Sequence, residues 1–200
     1  MLGEIIDKSW LENNASIVKL PDGSEIYQHK QGQKISSDNE DFNNYLIQRF
    51  GNCSNDAKQV LELGIGNGIN SIMLKTAFPK WNITGIEIDS EQADLASYNT
   101  KLLDININVI EDDLREFKSK QKYDLILANP PYKKVGSGKM GPRTRTNMAK
   151  FELTCTMEDV LLALKRNIMD FETLSQWRRA AYCAAMTSRN RNHVLLFSDM

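Results

Sequence analysis

The chain has 200 residues, 41% hydrophobic and 26% charged, with a formal net charge of −1; this balance fits a globular domain with a substantial core and excludes a disordered or fibrous chain. No run approaches the roughly 20 apolar residues of a membrane span, and Glu4 and Asp7 interrupt the apolar N-terminal stretch as no secretory leader would allow. Cys53, Cys155 and Cys183 show neither paired nor CxxC spacing, and the two histidines, His29 and His193, are far apart, which argues against a disulfide scaffold and a metal site and makes a soluble cytoplasmic protein the default.

In chain order, residues 1–16 read as a short amphipathic helix, with Ile5, Ile6, Trp10 and Leu11 able to share one face. In SIVKLPDGSEIYQH two alternating runs flank Pro21-Asp22-Gly23-Ser24, whose turn chemistry predicts a hairpin. KQGQKISS is a polar loop. Asp38 is placed to cap a helix through Phe50, with Phe42, Tyr45, Leu46 and Phe50 on one stripe. From Lys58 the period changes. QVLELG, NITGIEID, NINVIEDD and YDLILAN are short, branched, apolar runs, separated by the helical segments NSIMLKTAF and SEQADLASYNTKLL and a short LREFKS. Strands alternating with helices predict a doubly wound, mostly parallel α/β sheet covered on both faces. Such sheets place ligands at the carboxyl ends of their strands.

The first of these strands ends in LELGIGNGIN. Gly64, Gly66 and Gly68 alternate ahead of a helix starting near Asn70, which suits close backbone approach to an anionic ligand and equally an ordinary tight turn. A dinucleotide fingerprint asks for glycine where Ile69 stands. The second strand ends in Glu87 and Asp89, about 20 residues beyond the glycines, where a carboxylate accepts from both hydroxyls of an unphosphorylated ribose. Both NAD and S-adenosylmethionine carry one. At the third strand end, Asp112 and Asp113 can meet an adenine amino group or cap LREFKS.

The fourth strand ends in Asn129-Pro130-Pro131-Tyr132. Adjacent prolines forbid helix and fix the backbone. An exocyclic amino group is a poor nucleophile because its lone pair is delocalised. The Asn129 side-chain oxygen and the Pro130 carbonyl can accept both its hydrogens and aim that lone pair, while Tyr132 offers a ring for a base lifted out of its stack. Between Leu125 and Phe151 stand Lys133, Lys134, Lys139, Arg143, Arg145 and Lys150 and no acid, so the remainder of the chain carries −7. A basic segment on an acidic body suits an anionic partner, or is a solvated loop.

Glu62-x-Gly-x-Gly-x-Gly, Glu87, Asp113 and Asn-Pro-Pro-Tyr, in that order, resemble the class I S-adenosylmethionine-dependent methyltransferases that modify amino groups, over residues 58–165. The branch that methylates adenine N6 beside the anticodon of a valine tRNA is the most similar, since it also shares the hairpin, the QHKQGQKISSD lead-in and the basic glycine-containing segment. The resemblance implies a Rossmann-like fold as a single globular unit over residues 38–200, with a helix-and-hairpin extension at 1–37. It implies S-adenosylmethionine as cofactor, contacted by Glu62, Gly64 and Gly66 at the methionine end, Glu87 at the ribose and Asp113 at the adenine, with Asn129 between cofactor and target and Lys34 and Asp38 closing from the N-terminal side. Asn129, Pro130 and Tyr132 would form the target pocket, and Lys133, Lys134, Lys139, Arg143 and Arg145 would hold tRNA phosphates. No metal is implied, and a monomer is the default. The tail departs from the family: strands are expected near 168–174 and 193–198 with a helix at 176–189, and the family's last, antiparallel strand is expected to be missing or diverged. Rival readings are methylation of a protein glutamine amide, as in release-factor methyltransferases, of a guanine amino group in ribosomal RNA, an inactive cofactor-binding subunit, and, last, a nicotinamide oxidoreductase.

Overall fold

A computed structural model describes residues 6–32, 34–35, 37–51, 56–129, 155–168 and 194–197. Helix α1 is Lys8–Asn14, capped by Asp7, whose side chain accepts from the Trp10 amide at 2.7 Å. The expected helix stops there because residues from Ala15 pair as a strand instead. β1, Ala15–Lys19, runs antiparallel to β2, Glu25–His29, across the predicted turn. Gly23 takes φ +89° in that turn, and Asp22 accepts from the Ser24 amide and hydroxyl at 2.9 and 2.6 Å. α2 spans Ser37–Phe50. Asp38 thus lies in its first turn, and Phe42, Leu46 and Phe50 are buried with Tyr45 packed beside them.

The main sheet follows the predicted alternation: β3 Gln59–Leu63, α3 Ile69–Ala77, β4 Asn82–Glu87, α4 Ser90–Leu102, β5 Asn108–Glu111 and β6 Leu125–Ala128, then α5 Met157–Asn167 and β7 Val194–Phe197. Strand order is β5-β4-β3-β6-β7. β3, β4, β5 and β6 are mutually parallel. Alternate residues of each strand face opposite ways. Val60, Leu125 and Leu127 join one core with α2, α3 and the fully buried Trp81; Leu61, Leu63, Ile126 and Ala128 join another under α5. The sheet is therefore covered on both faces, and Cys155 packs into the second core as a small apolar residue.

One expectation is corrected. LREFKS is a turn rather than a helix: the Glu116 and Phe117 amides both donate to the Asp113 carbonyl, at 2.9 and 2.8 Å. Phe117 alone of the segment is buried, so there is no apolar stripe to hold a helix. The strand expected at 193–198 is present as β7, and it pairs antiparallel with β6 from Leu125↔Phe197 to Ala128↔Val194. An apolar run of four carries no signal of direction. Of the strand expected at 168–174, Ile168 forms a parallel bridge with Tyr123; the rest, and the helix at 176–189, lie outside the described residues.

The N-terminal hairpin is fastened to α4. Leu95 packs against Leu11 and Ala15. Asn99, fully buried, acts as a peptide would on a strand edge: its Oδ1 accepts from the Tyr27 amide at 2.8 Å, and its Nδ2 donates to the Tyr27 carbonyl at 2.8 Å and the Asn67 carbonyl at 2.9 Å. Replacing Asn99 by Leu removes all three bonds and leaves backbone groups unpaired. The Asn99→Leu change is expected to cost about 3 kcal/mol, measured by urea unfolding; a loss below about 1 kcal/mol would show that the hairpin does not depend on this clamp.

Candidate functional site

One cavity opens at the carboxyl ends of the parallel strands. Its floor is the turn after β3. The Gly64 and Ile65 amides both donate to the Ile86 carbonyl of β4 at 2.9 Å, which bends the chain off the sheet. Ile65 then lies across Gly85, where a Cβ would fall 2.2 Å from Ile65 Cδ1; the need for glycine at that strand position was not evident from the sequence. Gly64 and Gly66 take φ +76° and +57°, and a Cβ on either would meet nothing within 4 Å. Backbone conformation selects glycine there, and the open space above suits a ligand resting on the main chain. α3 follows, its first amides turned toward this end.

Glu87 ties the floor to the wall. Its Oε2 accepts from the Gly66 amide at 2.9 Å and its Oε1 from the Asp89 amide at 3.1 Å. Burial pushes its pKa above the ordinary value, opposed by these amide bonds. Each carboxylate oxygen has a further lone pair, and Glu87 lines the cavity. Ile88, large, apolar and 41% exposed, lines it next to Glu87, and Leu114 lines it too. Asp112 and Asp113 both line the cavity. Asp113 is already engaged: Arg115 Nε lies 3.0 and 2.9 Å from its two oxygens, and this guanidinium holds its carboxyl below the usual range. The sequence reading did not include Arg115.

Glu62 sits beneath the first turn of α3. It is 1% exposed and is not part of the cavity wall. Its Oε1 accepts from Asn70 Nδ2 at 2.9 Å and its Oε2 from the Ser71 hydroxyl, so it braces the first turn of α3 from behind. Asn70 does line the cavity, as does Asn39 of α2, and Asn39 Nδ2 donates to Asn70 Oδ1 at 3.2 Å. These residues were also missed; the signal that could have found them is a pair of polar residues, Asn70 and Ser71, on the otherwise apolar first turn of α3.

From the N-terminal side come His29, Lys34 and Ile35. Lys34 is exposed, with its Nζ 3.5 Å from Ser16 Oγ. Asn129, half-buried, follows β6 and lines the cavity with Cys155 and Val160. The fold thus gathers Lys34, Gly64, Gly66, Glu87, Asp113 and Asn129 around one space. Pro130, Tyr132, Lys133, Lys134, Lys139, Arg143 and Arg145 lie outside the described residues, and nothing is described of the Asp38 side chain. Among the described residues no cluster of metal-ligand type occurs and no helix is long and apolar enough to cross a membrane.

Residues 36–149 match the methyltransferase small domain. A tRNA1(Val) (adenine(37)-N6)-methyltransferase of Flavobacteriaceae bacterium (strain 3519-10) is 31% identical over 109 residues, which are 54% of this chain and 45% of the relative. A putative protein N5-glutamine methyltransferase of Methanocaldococcus jannaschii is 43% identical over 75 residues, 38% of this chain and 37% of the relative. The chain spans about half the length of the curated relatives it matches. A T. thermophilus 16S rRNA guanine-N2 methyltransferase, solved with AdoMet and guanosine, superposes with a TM-score of 0.55 over 92% of this chain and 50% of that one, at 16% identity; the two share a fold.

Burial raises the pKa of Glu62 from 4.5 to about 7, against the bonds from Ser71 and Asn70. In the unfolded chain the proton leaves near 4.5, and in the folded chain near 7. Between those values the folded state binds more protons, so this group lowers stability as pH rises through the window and has no further effect above it, by at most roughly 3 kcal/mol. Glu62→Gln cannot titrate. The stability of the parent relative to Glu62→Gln is therefore expected to fall from pH 4.5 to 7, followed by urea unfolding; parallel profiles would refute the assignment.

Proposed function

The chain belongs to the methyltransferase small domain family, and we propose that it transfers a methyl group from S-adenosylmethionine to an exocyclic amino group, adenine N6 of a tRNA. The observation that carries this reading is the convergence of the open glycine floor, Glu87 and Asn129 on one cavity. The cofactor supplies a methyl group activated on a positively charged sulfur. The chain's own residues bind and align. Gly64 and Gly66 let the cofactor lie against the backbone, Glu87 accepts from the ribose hydroxyls with its remaining lone pairs, and Ile88 and Leu114 give the adenine apolar walls. Asp112 or Asp113 meets the adenine amino group; Asp113 does so while shared with Arg115. Lys34 and Asp38 close the N-terminal side.

On the acceptor side, the Asn129 side-chain oxygen and the Pro130 carbonyl take the two hydrogens of the amino group and fix the direction of its lone pair, with Tyr132 stacking on the base. Catalysis is then chiefly alignment and dipole placement, and no strong base is needed because the alkylated nitrogen is itself acidic. Lys133, Lys134, Lys139, Arg143 and Arg145 hold phosphates around the displaced base. A tRNA acceptor places the protein in the cytoplasm. The second reading is a glutamine amide in a protein, which offers the same kind of nitrogen and is the acceptor named for the M. jannaschii relative. Methyl transfer to bulk tRNA, followed by mass spectrometry of its nucleosides, separates the two: N6-methyladenosine is expected, and transfer to protein alone would move the glutamine reading to first place.

Three outcomes test the roles. Glu87→Ala is expected to weaken cofactor binding by roughly 1–3 kcal/mol in calorimetry, and unchanged affinity in the folded variant would sink the ribose assignment. Asn129→Ala is expected to keep cofactor affinity and lose most turnover, with Asn129→Asp better than Ala; near-normal turnover in Ala would refute the amino-group reading. Replacing both Arg143 and Arg145 by Ala is expected to weaken tRNA binding and to reduce its log–log salt slope by about 0.7–0.9 per lost phosphate contact, while cofactor binding stays as it was. Identical slopes and affinities would retire the nucleic-acid role of that segment.

A further inference from the structure

We infer that Asn43, a residue of α2 that does not reach the cavity, sets cofactor affinity by fixing the orientation of Asn70 on the cavity wall. The inference rests on the S-adenosylmethionine reading above. Asn43 is fully buried in the middle of α2. Its Nδ2 donates to Asn70 Oδ1 at 3.0 Å and to the Asn39 carbonyl at 2.7 Å. Asn70 Oδ1 also takes Asn39 Nδ2 at 3.2 Å, while Asn70 Nδ2 is held by Glu62 at 2.9 Å. Both ends of the Asn70 amide are thus fixed, the oxygen by α2 and the nitrogen by β3.

Packing alone does not account for Asn43. Its Oδ1 is buried with no hydrogen-bond partner among the described residues, a cost that a leucine of similar size would not carry. What the amide gives in return is direction: a satisfied donor on Asn70 Oδ1 that an apolar side chain cannot supply. Asn70 is the second residue of α3, immediately beyond the glycine turn. A displacement of α2 therefore reaches the floor of the cavity through one side chain. Asn43 is on this account a positioning residue, and α2 belongs to the cofactor site although only Asn39 of it is known to line the cavity.

The test is calorimetric titration of the full chain with S-adenosylmethionine, with thermal melting to confirm folding. No binding by the parent refutes the methyltransferase reading, and the relay with it. If the parent binds, Asn43→Ala is expected to weaken binding roughly five- to tenfold, whereas in an Asn70→Ala background the same change is expected to add less than about twofold. Unchanged affinity in Asn43→Ala, or an equal loss in both backgrounds, overturns the relay alone. Asn43→Ser, which keeps one donor, is expected to fall between parent and Ala. Should neither variant fold, amide hydrogen exchange of the parent decides: cofactor binding is expected to slow exchange along α2, and exchange in α2 that does not respond overturns the inference.

Discussion

The site depends on how the chain leaves β3. One carbonyl, that of Ile86, receives two consecutive amides, Gly64 and Ile65, and one carboxylate, Glu87, receives a third from Gly66. Three donors in three residues are drawn toward the end of the neighbouring strand. That makes the turn a continuation of the β3–β4 pairing rather than a free loop. It also explains why β4 needs glycine at Gly85: Ile65 has to lie over the strand for the turn to stay down. The apolar burial of Ile65 and Ile86 holds in place a surface of backbone that is itself open above Gly64 and Gly66.

Around this turn the polar contacts are mostly amides. Asn99 joins the hairpin to the turn through Asn67, and Asn70 joins α2 to β3. Neutral side chains suit this work. A buried amide with both ends engaged costs far less desolvation than an ion pair in the same place, and its planar geometry fixes direction as well as distance. The two carboxylates among them, Glu62 and Glu87, show the difference: burial raises the pKa of both. The hairpin, which looks appended in sequence, is thereby wired to the turn after β3, and α2 to the first strand and helix of the sheet.

Much of this was legible in the sequence, and what was not has identifiable causes. The strand–helix alternation, the stripe of Phe42, Leu46 and Phe50, the glycine turn and Glu87 at the end of β4 all rest on local periodicity or backbone need, and the structure has them where expected. Strand direction at β7 is set by partners distant in sequence, and four apolar residues do not encode it. LREFKS has helical composition but only one buried side chain, so tertiary context decided. The family resemblance implies Glu62 as a cofactor contact, but its bonds to Asn70 and Ser71 under α3 join residues that no local pattern pairs. Asn43 and Asn99 are invisible to pattern reading, since a polar residue in a helix defaults to the solvent face. Arg115 follows, rather than forms, the acidic strand end, and its sequence position does not announce its pairing with Asp113.

The pairing of β6 with β7 has a consequence for the order in which the molecule is completed. The floor, Glu87 and the Asp112–Asp113 wall all come from residues 59–113, a stretch with short connections whose contacts close early. Asn129 extends from β6, whose outer edge is paired by residues 194–197, a closure over a long span of chain. On a ribosome emitting the chain from its N-terminus, residues 59–113 are available to pair well before the partner strand of β6 is synthesised. The two sides of the cavity thus differ in contact order: one is closed by near neighbours in sequence, the other by residues 194–197.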